Sequence, residues 1–597
     1  MVPERLEDKP PALRSLFGHV ALLLPLVVAV LASAASSDFR DDLAAVRSLG
    51  LVPLGSEGWL STVLGQLAAL VPVGGRWLRA AWVSALALGV CSRLLYEIGV
   101  RLLARGANMP RLGPALALAA ALMTVLSPSF QAEGSVIGGA TVGVAIILLS
   151  LDLERRFAAN DRRRTVLFGL LLGLATAESH AAGLSLFASG VALALASRRA
   201  PEVRGVALGG AAFAAVMLLV TAGGLVRSYA PNAPLDLGAG LGETSLTMLD
   251  ASAARRTAFE AWLGDVGVVS FGLALVGVVG GLASKPLRPL LLAFLSFVFA
   301  DLALPEQRIG VLAPDPFAAT RLCATAALGL FAAVGVQQVV SFLERARLPF
   351  SRPAAVMLVA FNFTLVLGAS ESSAQAEKGQ RVAAESFTDQ ALSSLAPNSL
   401  LVARSEALIR RLLAAQLLTG ARPDVLVVPA PLLERGGLRR RLLAVEPELG
   451  PLLREMALKG EPGEFALSEL SDARPLYVEF DPEWDSRLLA HLGPRAFFIR
   501  YSPHPLGHSD RRVALQKGEE GLERVMAALG DDPSEERATR AVVIALLRER
   551  ARLFDAVRDT QALSLSLERL AVLDPQDSVL RELSPKLPRR VADVTKR

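Results

Sequence analysis

The chain has 597 residues, of which 52% are hydrophobic and 20% charged, and its mean hydropathy is +0.44. Such an apolar composition excludes an ordinary soluble protein. The net charge of +5 lies largely in short basic stretches between apolar runs. It therefore indicates contact with anionic membrane lipids, and nucleic acid is not expected as a partner.

Apolar runs of roughly 17–23 residues, the length that crosses a bilayer core, follow one another up to about residue 370. They predict about eleven transmembrane spans, of which the fifth and sixth are short enough to be broken or re-entrant. The predicted spans are Leu16–Ala34, Trp77–Ile98, Leu112–Ser127, Ser135–Leu153, Thr165–Ala177, His180–Ala196, Gly205–Leu225, Val266–Ala283, Leu287–Leu304, Ala319–Phe342 and Ala354–Gly368.

Basic residues gather in four of the loops, and all four loops lie on one side when the spans alternate from a cytoplasmic N-terminus. These residues are Arg101, Arg105, Arg111, Arg155, Arg156, Arg162, Arg163, Arg164, Lys285, Arg288, Arg345, Arg347 and Arg352. The positive-inside bias therefore places the loop at Asp38 and the C-terminal region outside. Because the composition is rich in Arg, Ala and Leu and poor in Lys, we expect a bacterial inner membrane and a periplasmic C-terminal region. Cleavage by signal peptidase near Leu31–Ala35 is the alternative fate of the first span.

Beyond residue 371 the pattern changes to short strand-like runs that alternate with helical periods. Strands are predicted at Ser399–Ala403, Val425–Val428, Leu476–Phe480 and Ala496–Tyr501, and helices at Glu406–Leu418 and Leu432–Val445. This alternation predicts a small α/β domain with a largely parallel sheet over residues 372–510. No glycine-rich phosphate loop follows any of these strands, so nucleotide binding is not expected.

Residues 511–597 are predicted to form helices, with amphipathic periods at Glu535–Val557 and Thr560–Leu573. The second period runs into Ala571–Asp577 (A-V-L-D-P-Q-D), which is like the close of a tetratricopeptide repeat, and a helical cap on the α/β domain is the alternative. The predicted fold class is a polytopic α-helical membrane protein: a transmembrane domain (1–371), a soluble extracytoplasmic α/β domain and a helical, TPR-like end. Cys91 and Cys323 fall in predicted spans, so no disulfide is expected.

An acidic cluster, Ser36–Asp42 (S-S-D-F-R-D-D), follows directly after the first predicted span. A carboxylate in this loop is placed at the membrane surface. The structural alternative is a helix start with Ser37 as N-cap and Asp41 in the first turn, where an acidic side chain is favourable.

The cluster resembles the opening of a membrane-protein family whose pattern reads G-D-S-G-E, then a leucine-glycine step, then H-P-P-G. Here the corresponding residues are Asp38–Asp41 (D-F-R-D), Leu49–Gly50 and Val52–Gly55 (V-P-L-G), followed in order by Ser127–Glu133 (S-P-S-F-Q-A-E), Gly173–Leu174 with His180, and Arg422–Val425 (R-P-D-V) behind Glu406. The chain thereby resembles the protein O-mannosyltransferase-like family, domain of unknown function 2723, which is similar to the GT-C glycosyltransferases.

This resemblance implies a GT-C-like, inverting glycosyltransferase that moves a sugar, mannose by analogy, from a polyprenyl-phosphate carrier to a protein or glycan acceptor outside the cytoplasm. Asp38 matches the family's Asp and is expected to be the general base, because an acceptor hydroxyl must lose its proton as it attacks the anomeric carbon. Asp41 matches the family's Glu and would orient the base or bind the acceptor. Arg40 replaces a glycine, and the histidine of H-P-P-G is absent. A catalytically degenerate envelope scaffold is therefore the alternative.

Four further residues are candidates for binding the substrate or its carrier. Glu133 and His180 are ionisable residues at the outer ends of spans, where a functional role is the default hypothesis. Arg308 and Arg321 belong to the last outer loop of the membrane domain and suit bidentate contact with a carrier phosphate. The structural alternatives are a Glu178–His180 pair and loop charges that are simply solvated.

No cofactor is expected beyond the lipid-linked sugar donor, and no metal site is predicted, because His504 and His508 have no third ligand near them. A transporter of lipid-linked sugars is the remaining alternative, and it would need charged groups near the middle of the bilayer. Arg93, Glu97 and Asp301 lie near span ends, which argues against a transporter.

Overall fold

The computed structural model describes most of the chain, with gaps. The described residues are 12–33, 38–39, 41–42, 44–45, 58–104, 112–156, 162–197, 203–229, 251–284, 287–303, 317–346, 353, 356–357, 381–433, 436–479, 486–516, 519–530 and 536–586. Of the predicted features, Val52–Gly55 and Arg308 lie outside these residues, as does nearly all of the eleventh span, Ala354–Gly368.

Helices make up nearly all of the described part of the first 346 residues. Helices α1 to α12 are Ala12–Ala32, Trp59–Ala68, Arg76–Ala104, Leu112–Val125, Pro128–Ser135, Thr141–Arg156, Arg162–Glu178, His180–Ser197, Val203–Tyr229, Ala251–Ala283, Arg288–Ala303 and Ala318–Arg345. Helix α10 is interrupted at Gly267, whose φ of +76° lies in the left-handed region that glycine adopts without strain.

Five of the described helices are long and apolar enough to cross a membrane, which supports a multi-pass membrane protein. They comprise Arg14–Ala32, Trp77–Ala104, Val203–Gly223, Ala258–Ala283 and Ala318–Arg345. A sixth span is obtained if Gly113–Val125 and Pro128–Ser135, bent by 64°, are taken together. The other predicted spans that lie within the described residues correspond to shorter helices, so the count of eleven remains a prediction.

A network of ion pairs marks one end of the helix bundle. Glu97, near the end of α3, lies 3.6 Å from Arg14 at the start of α1, 2.7 Å from Arg93 and 3.8 Å from Arg101. Arg101 also pairs with Asp152 near the end of α6, whose side chain is 1% exposed. We call this the Arg14 end, and the other end, where α1 stops, the Asp38 end.

The C-terminal region contains a five-stranded mixed sheet flanked by helices. Helix α13 is Val382–Ser393, and the strands β1 to β5 are Leu400–Ala403, Leu426–Pro429, Leu476–Val478, Leu492–Pro494 and Ile499–Tyr501. The sheet order is β2-β1-β3-β5-β4; β1 is parallel to β2 and β3, whereas β5 is antiparallel to β3 and β4. Helices α14 to α18 are Glu406–Thr419, Gly436–Val445, Gly450–Lys459, Glu464–Ala473 and Ser486–Leu489.

The final helices pack on the sheet through one continuous apolar core. Helices α19 to α23 are His508–Gln516, Glu519–Ala528, Arg537–Ala556, Thr560–Leu573 and Ser578–Leu583. Leu401 of β1, Phe554 of α21 and Leu567 of α22 are each fully buried in this core. The same core contains Phe39, which belongs to the loop after α1 and not to the C-terminal region.

Candidate functional site

The loop after α1 turns into a short helical segment at Asp38. The backbone N–H of Asp41 donates to Asp38 Oδ1 at 3.0 Å, and the backbone N–H of Asp42 donates to the Asp38 carbonyl at 3.1 Å. Asp38 therefore takes the capping position at this helix start, one residue after the Ser37 that the structural alternative named. The Asp38 residue is half-buried, and Asp41 and Asp42 are buried.

Phe39 inserts into the C-terminal region. Its ring is fully buried and meets the ring of Phe387 edge-to-face, with 5.3 Å between centroids. The guanidinium carbon of Arg411 lies 5.7 Å from the centre of the Phe39 ring. This insertion fixes the loop against helices α13 and α14.

The two later carboxylates of the loop form ion pairs with the same region. Asp42 has no exposed surface, and its Oδ1 accepts a hydrogen bond from Arg411 Nη1 at 3.1 Å. Asp41 Oδ2 lies 3.8 Å from Arg381 Nη2. Burial lowers the pKa of the neighbouring Arg410, although Glu406 and Asp42 oppose that shift.

Glu133 and the Glu178–His180 segment lie at the same end of the bundle. Glu133 Oε2 accepts the backbone N–H of Ala140 at 2.9 Å and so closes the loop between α5 and α6. Glu178 Oε2 accepts the backbone N–H groups of Leu60 and Ser61, each at 2.9 Å, at the start of α2. His180 begins α8 and is exposed.

Arg321 belongs to a polar cluster that also contains Asp301, Trp262 and Asp265. Arg321 Nε lies 3.9 Å from Asp301 Oδ1, and the indole N–H of Trp262 donates to Asp301 Oδ2 at 2.8 Å. Asp265 is 2% exposed and accepts the backbone N–H of Ser129 at 3.0 Å. The local sequence around Asp265 and Trp262 does not mark them as candidates, because their hydrogen-bond partners lie on other helices.

Close contacts join the elements that carry these residues at the Asp38 end. A Cβ placed on Gly138 would lie 2.7 Å from Ala44 Cβ, so the Asp38 loop touches the loop that follows Glu133. A Cβ placed on Gly143 would lie 3.8 Å from Glu178 Cγ and 3.7 Å from Ala319 Cβ, at the start of Arg321's helix. The structure thus brings the elements that carry Asp38, Glu133, His180 and Arg321 to one end.

The chemistry available at this end is that of carboxylates and arginines beside apolar helices. Within the described ranges, no group of three or more His, Cys, Asp or Glu side chains is arranged to hold a metal ion. A separate open cavity of about 380 Å³ lies in the C-terminal region, lined by Arg495, Arg500, Tyr501 and Asp510 among others. The predicted site residues do not line it, so it is not part of the candidate site.

Comparisons with protein-family models and with curated protein sequences give no match. Among solved structures, the chain is similar to ArnT from Cupriavidus metallidurans bound to undecaprenyl phosphate, with a TM-score of 0.44 and 14% identity over 73% of this chain and 95% of that one. It is also similar to the oligosaccharyltransferase AglB from Archaeoglobus fulgidus in complex with an inhibitory peptide and a dolichol-phosphate (TM-score 0.40, 12% identity, 70% of this chain, 65% of that one). The Archaeoglobus fulgidus oligosaccharyltransferase in its apo form gives a TM-score of 0.38 at 13% identity, over 67% of this chain and 64% of that one. Because these scores and identities are low, a function for this chain has to be argued from its own residues.

Proposed function

We propose that this chain is a membrane glycosyltransferase that moves a sugar from a polyprenyl-phosphate donor to a protein or glycan acceptor outside the cytoplasm. The proposal assigns the Asp38 end to the periplasmic face of a bacterial inner membrane. It takes mannose as the first sugar to test, from the family resemblance. Asp38 is the proposed general base, and Arg321 is the proposed contact for the carrier phosphate.

The observation that carries the proposal is the placement of Asp38. Its half-buried carboxylate stands at the end of the first apolar helix, on a loop held by the C-terminal region at Phe39 and by the helix bundle at Ala44. One oxygen of this carboxylate accepts the backbone N–H of Asp41, which sets the direction of the group.

The reaction needs one proton acceptor and one site for a leaving phosphate. As the acceptor oxygen bonds to the anomeric carbon, its proton passes to Asp38, and the bond from the anomeric carbon to the carrier phosphate breaks on the opposite face. The configuration at the anomeric carbon is therefore inverted. The phosphate gains negative charge as it leaves, and the guanidinium of Arg321 would stabilise that charge.

Asp38→Asn tests the base without removing the cap, because Asn and Asp are equally good at that position. We expect membranes that contain the variant to transfer radiolabelled mannose from polyprenyl-phosphate mannose at least about a hundredfold more slowly than wild type. Asp559→Asn is the control for changing a helix-capping Asp to Asn, and it should keep the wild-type rate of transfer although it also weakens the ion pair of Asp559 with Arg512. Asp559 also caps a helix, accepting the N–H of Ala562 at 3.3 Å, and it lies in the C-terminal helices. Equal transfer by Asp38→Asn and wild type would remove Asp38 from the mechanism.

A non-catalytic envelope scaffold is the second candidate. It is favoured by the ion pairs of Asp41 with Arg381 and of Asp42 with Arg411, which give two of the three carboxylates a structural role. The same assay separates the candidates. Absence of transfer by the wild-type protein across a panel of polyprenyl-phosphate sugars would support the scaffold.

A further inference from the structure

Asp42 is the anchor of the acidic loop, although neither its position nor the family resemblance assigns it a role. Its side chain is fully buried and its Oδ1 lies 3.1 Å from Arg411 Nη1. A buried carboxylate is very unfavourable without a cation, and Arg411, itself 5% exposed, would be equally unfavourable alone. The Asp42 carboxylate and the Arg411 guanidinium are therefore each stable in their buried positions only as a pair.

Arg411 is held in a fixed orientation by Asp42, by Thr388 and by Phe39. Its Nε donates to Thr388 Oγ1 at 2.6 Å, and the Thr388 hydroxyl donates in turn to the Ala384 carbonyl at 2.7 Å. Its guanidinium also faces the ring of Phe39. These contacts fix the direction in which Arg411 Nη1 donates to the Asp42 carboxylate.

The anchor acts on Asp38 through one turn of backbone. The N–H of Asp42 donates to the Asp38 carbonyl at 3.1 Å, and the N–H of Asp41 donates to Asp38 Oδ1. Fixing Asp42 therefore fixes both the backbone of Asp38 and the orientation of its carboxylate. The two charges of the anchor are 369 residues apart in the chain, so the C-terminal region sets the geometry of a loop near the N-terminus.

We infer that Arg411, through Asp42, is a positioning residue that holds Asp38 in its catalytic orientation. The C-terminal region is thereby a working part of the membrane enzyme. The inference has two parts, and the first part, that Asp38 is held in a catalytic orientation, rests on the proposed function. The second part, that the Arg411–Asp42 pair docks the loop, can be tested whether or not the protein transfers a sugar.

The docking is tested by amide hydrogen exchange on the full-length protein in detergent micelles. In Arg411→Gln we expect the amides of Asp41, Asp42 and Ala45 to exchange about tenfold faster than in wild type, because the hydrogen bonds of this turn open once the anchor is lost. Thr388→Val, which keeps Arg411 but removes the hydroxyl that orients it and that bonds to the Ala384 carbonyl, is expected to give a smaller acceleration. Unchanged exchange in both variants would overturn the inference.

Arg550→Gln is the matched control for loss of a buried arginine. Arg550 is 2% exposed and its Nη2 lies 2.8 Å from Glu519 Oε1, so it joins α20 to α21 within the C-terminal helices. We expect this variant to lower the melting temperature and to leave exchange in the segment 38–45 at the wild-type rate. Faster exchange of that segment in Arg550→Gln would mean that general loosening, and not the anchor, frees the loop.

Positioning is tested by separating kcat from KM for the lipid-linked sugar. We expect Thr388→Val and Arg411→Gln to lower kcat by about tenfold or more with KM changed by less than about threefold, because a misplaced base slows chemistry more than binding. Arg550→Gln is expected to keep the wild-type kcat. Faster exchange with an unchanged kcat would overturn the positioning role. An inactive wild-type protein would instead overturn the proposed function, and exchange would still decide the docking.

Discussion

Arg422 and Asp424 form a bidentate ion pair in which Nε lies 2.8 Å from Oδ1 and Nη2 lies 2.8 Å from Oδ2. The same guanidinium donates to the carbonyls of Leu392, Leu395 and Ala396 at 2.8–3.0 Å. The pair therefore clasps the end of helix α13 to the start of strand β2. The R-P-D-V motif, Arg422–Val425, which forms part of the family resemblance, is therefore a structural clasp in this fold.

The clasp predicts a specific pH dependence of stability. Hydrogen bonds from Arg422, and one from the N–H of Asn398, hold the pKa of Asp424 well below its usual range. A depressed carboxyl pKa contributes stability above the unfolded-state value, about 3.9, and this contribution is lost as pH falls through the folded-state pKa. The melting temperature of Asp424→Asn should therefore lie below that of wild type by a steady amount from about pH 5 to 8, and the gap should narrow below about pH 4.

Asp472→Asn serves as the control for the clasp, because Asp472 is an exposed residue near the end of α17. Its melting temperature should follow that of wild type at every pH. A gap for Asp424→Asn that widens in acid would contradict the sign of the predicted effect.

Glu178 is expected to stabilise the protein by capping helix α2. It supplies the acceptor for the N–H groups of Leu60 and Ser61, and its backbone carbonyl accepts the N–H of Gly58 at 2.8 Å. Removing the acceptor leaves buried donors unpaired, which costs about 1–3 kcal/mol. Glu178→Ala should therefore lower the melting temperature by several degrees, whereas Glu178→Gln, which keeps an oxygen acceptor, should lower it less.

Thermal unfolding followed by tryptophan fluorescence in detergent measures both variants. Glu520→Gln is the control, because the Glu520 side chain is 87% exposed and its change should stay within about 0.5 kcal/mol of wild type. Equal melting temperatures for Glu178→Ala and Glu178→Gln would show that the carboxylate oxygen is not the helix cap.

Local pattern predicted much of the C-terminal region and little of the site. Strands β1 and β2 lie within one residue of the predicted runs, and α22 has the predicted bounds, Thr560–Leu573. Strand β4, Leu492–Pro494, was missed because glycine and proline are poor strand formers. The sheet is mixed and not largely parallel because β4 and β5 form an antiparallel pair.

The sequence names candidate site residues, but it does not name the side chains that hold the acidic loop in place. The acidic cluster follows an apolar run, which local pattern detects. Its ion-pair partners Arg381 and Arg411 lie in helices of an unremarkable amphipathic kind, far along the chain. Only the three-dimensional packing distinguishes them from the many arginines on solvated surfaces. The same holds for Asp265, whose hydrogen-bond partners are on two other helices.

Arg321 is predicted to contribute to binding of the carrier phosphate. Its side chain is 23% exposed, and its Nε lies 3.9 Å from Asp301 Oδ1. Arg321→Gln should raise the Kd for a short-chain polyprenyl phosphate by about tenfold, the loss expected for one charge-assisted hydrogen bond. Quenching of tryptophan fluorescence is a suitable readout, because Trp262 bonds to the same Asp301.

Arg288→Gln is the matched control for the phosphate measurement. Arg288 begins the helix that carries Asp301, so the two residues are about 20 Å apart along its axis. Its removal should leave the Kd unchanged. Equal weakening by both variants would indicate a general effect of positive charge on micelle binding, and no effect of Arg321→Gln would remove Arg321 from the carrier site.

Helices α10 and α12 are predicted to depend on glycine at their crossing. A Cβ on Gly277 would lie 1.9 Å from the Phe331 carbonyl oxygen, and a Cβ on Gly335 would lie 1.9 Å from that of Leu273. Both obstacles are backbone atoms, so the two helices would have to separate to admit a methyl group. Gly277→Ala should therefore destabilise the bundle by about 1–3 kcal/mol, the usual cost of overpacking.

Gly272 lies on the same helix and allows a direct contrast. A Cβ at Gly272 meets no heavy atom within 4 Å, so Gly272→Ala should be neutral or stabilising by up to about 1 kcal/mol, the helix-propensity difference between glycine and alanine. The melting temperatures of the two single variants in the same detergent measure the contrast. If Gly277→Ala melts as high as Gly272→Ala, the close approach of α10 to α12 is not what holds this half of the bundle together.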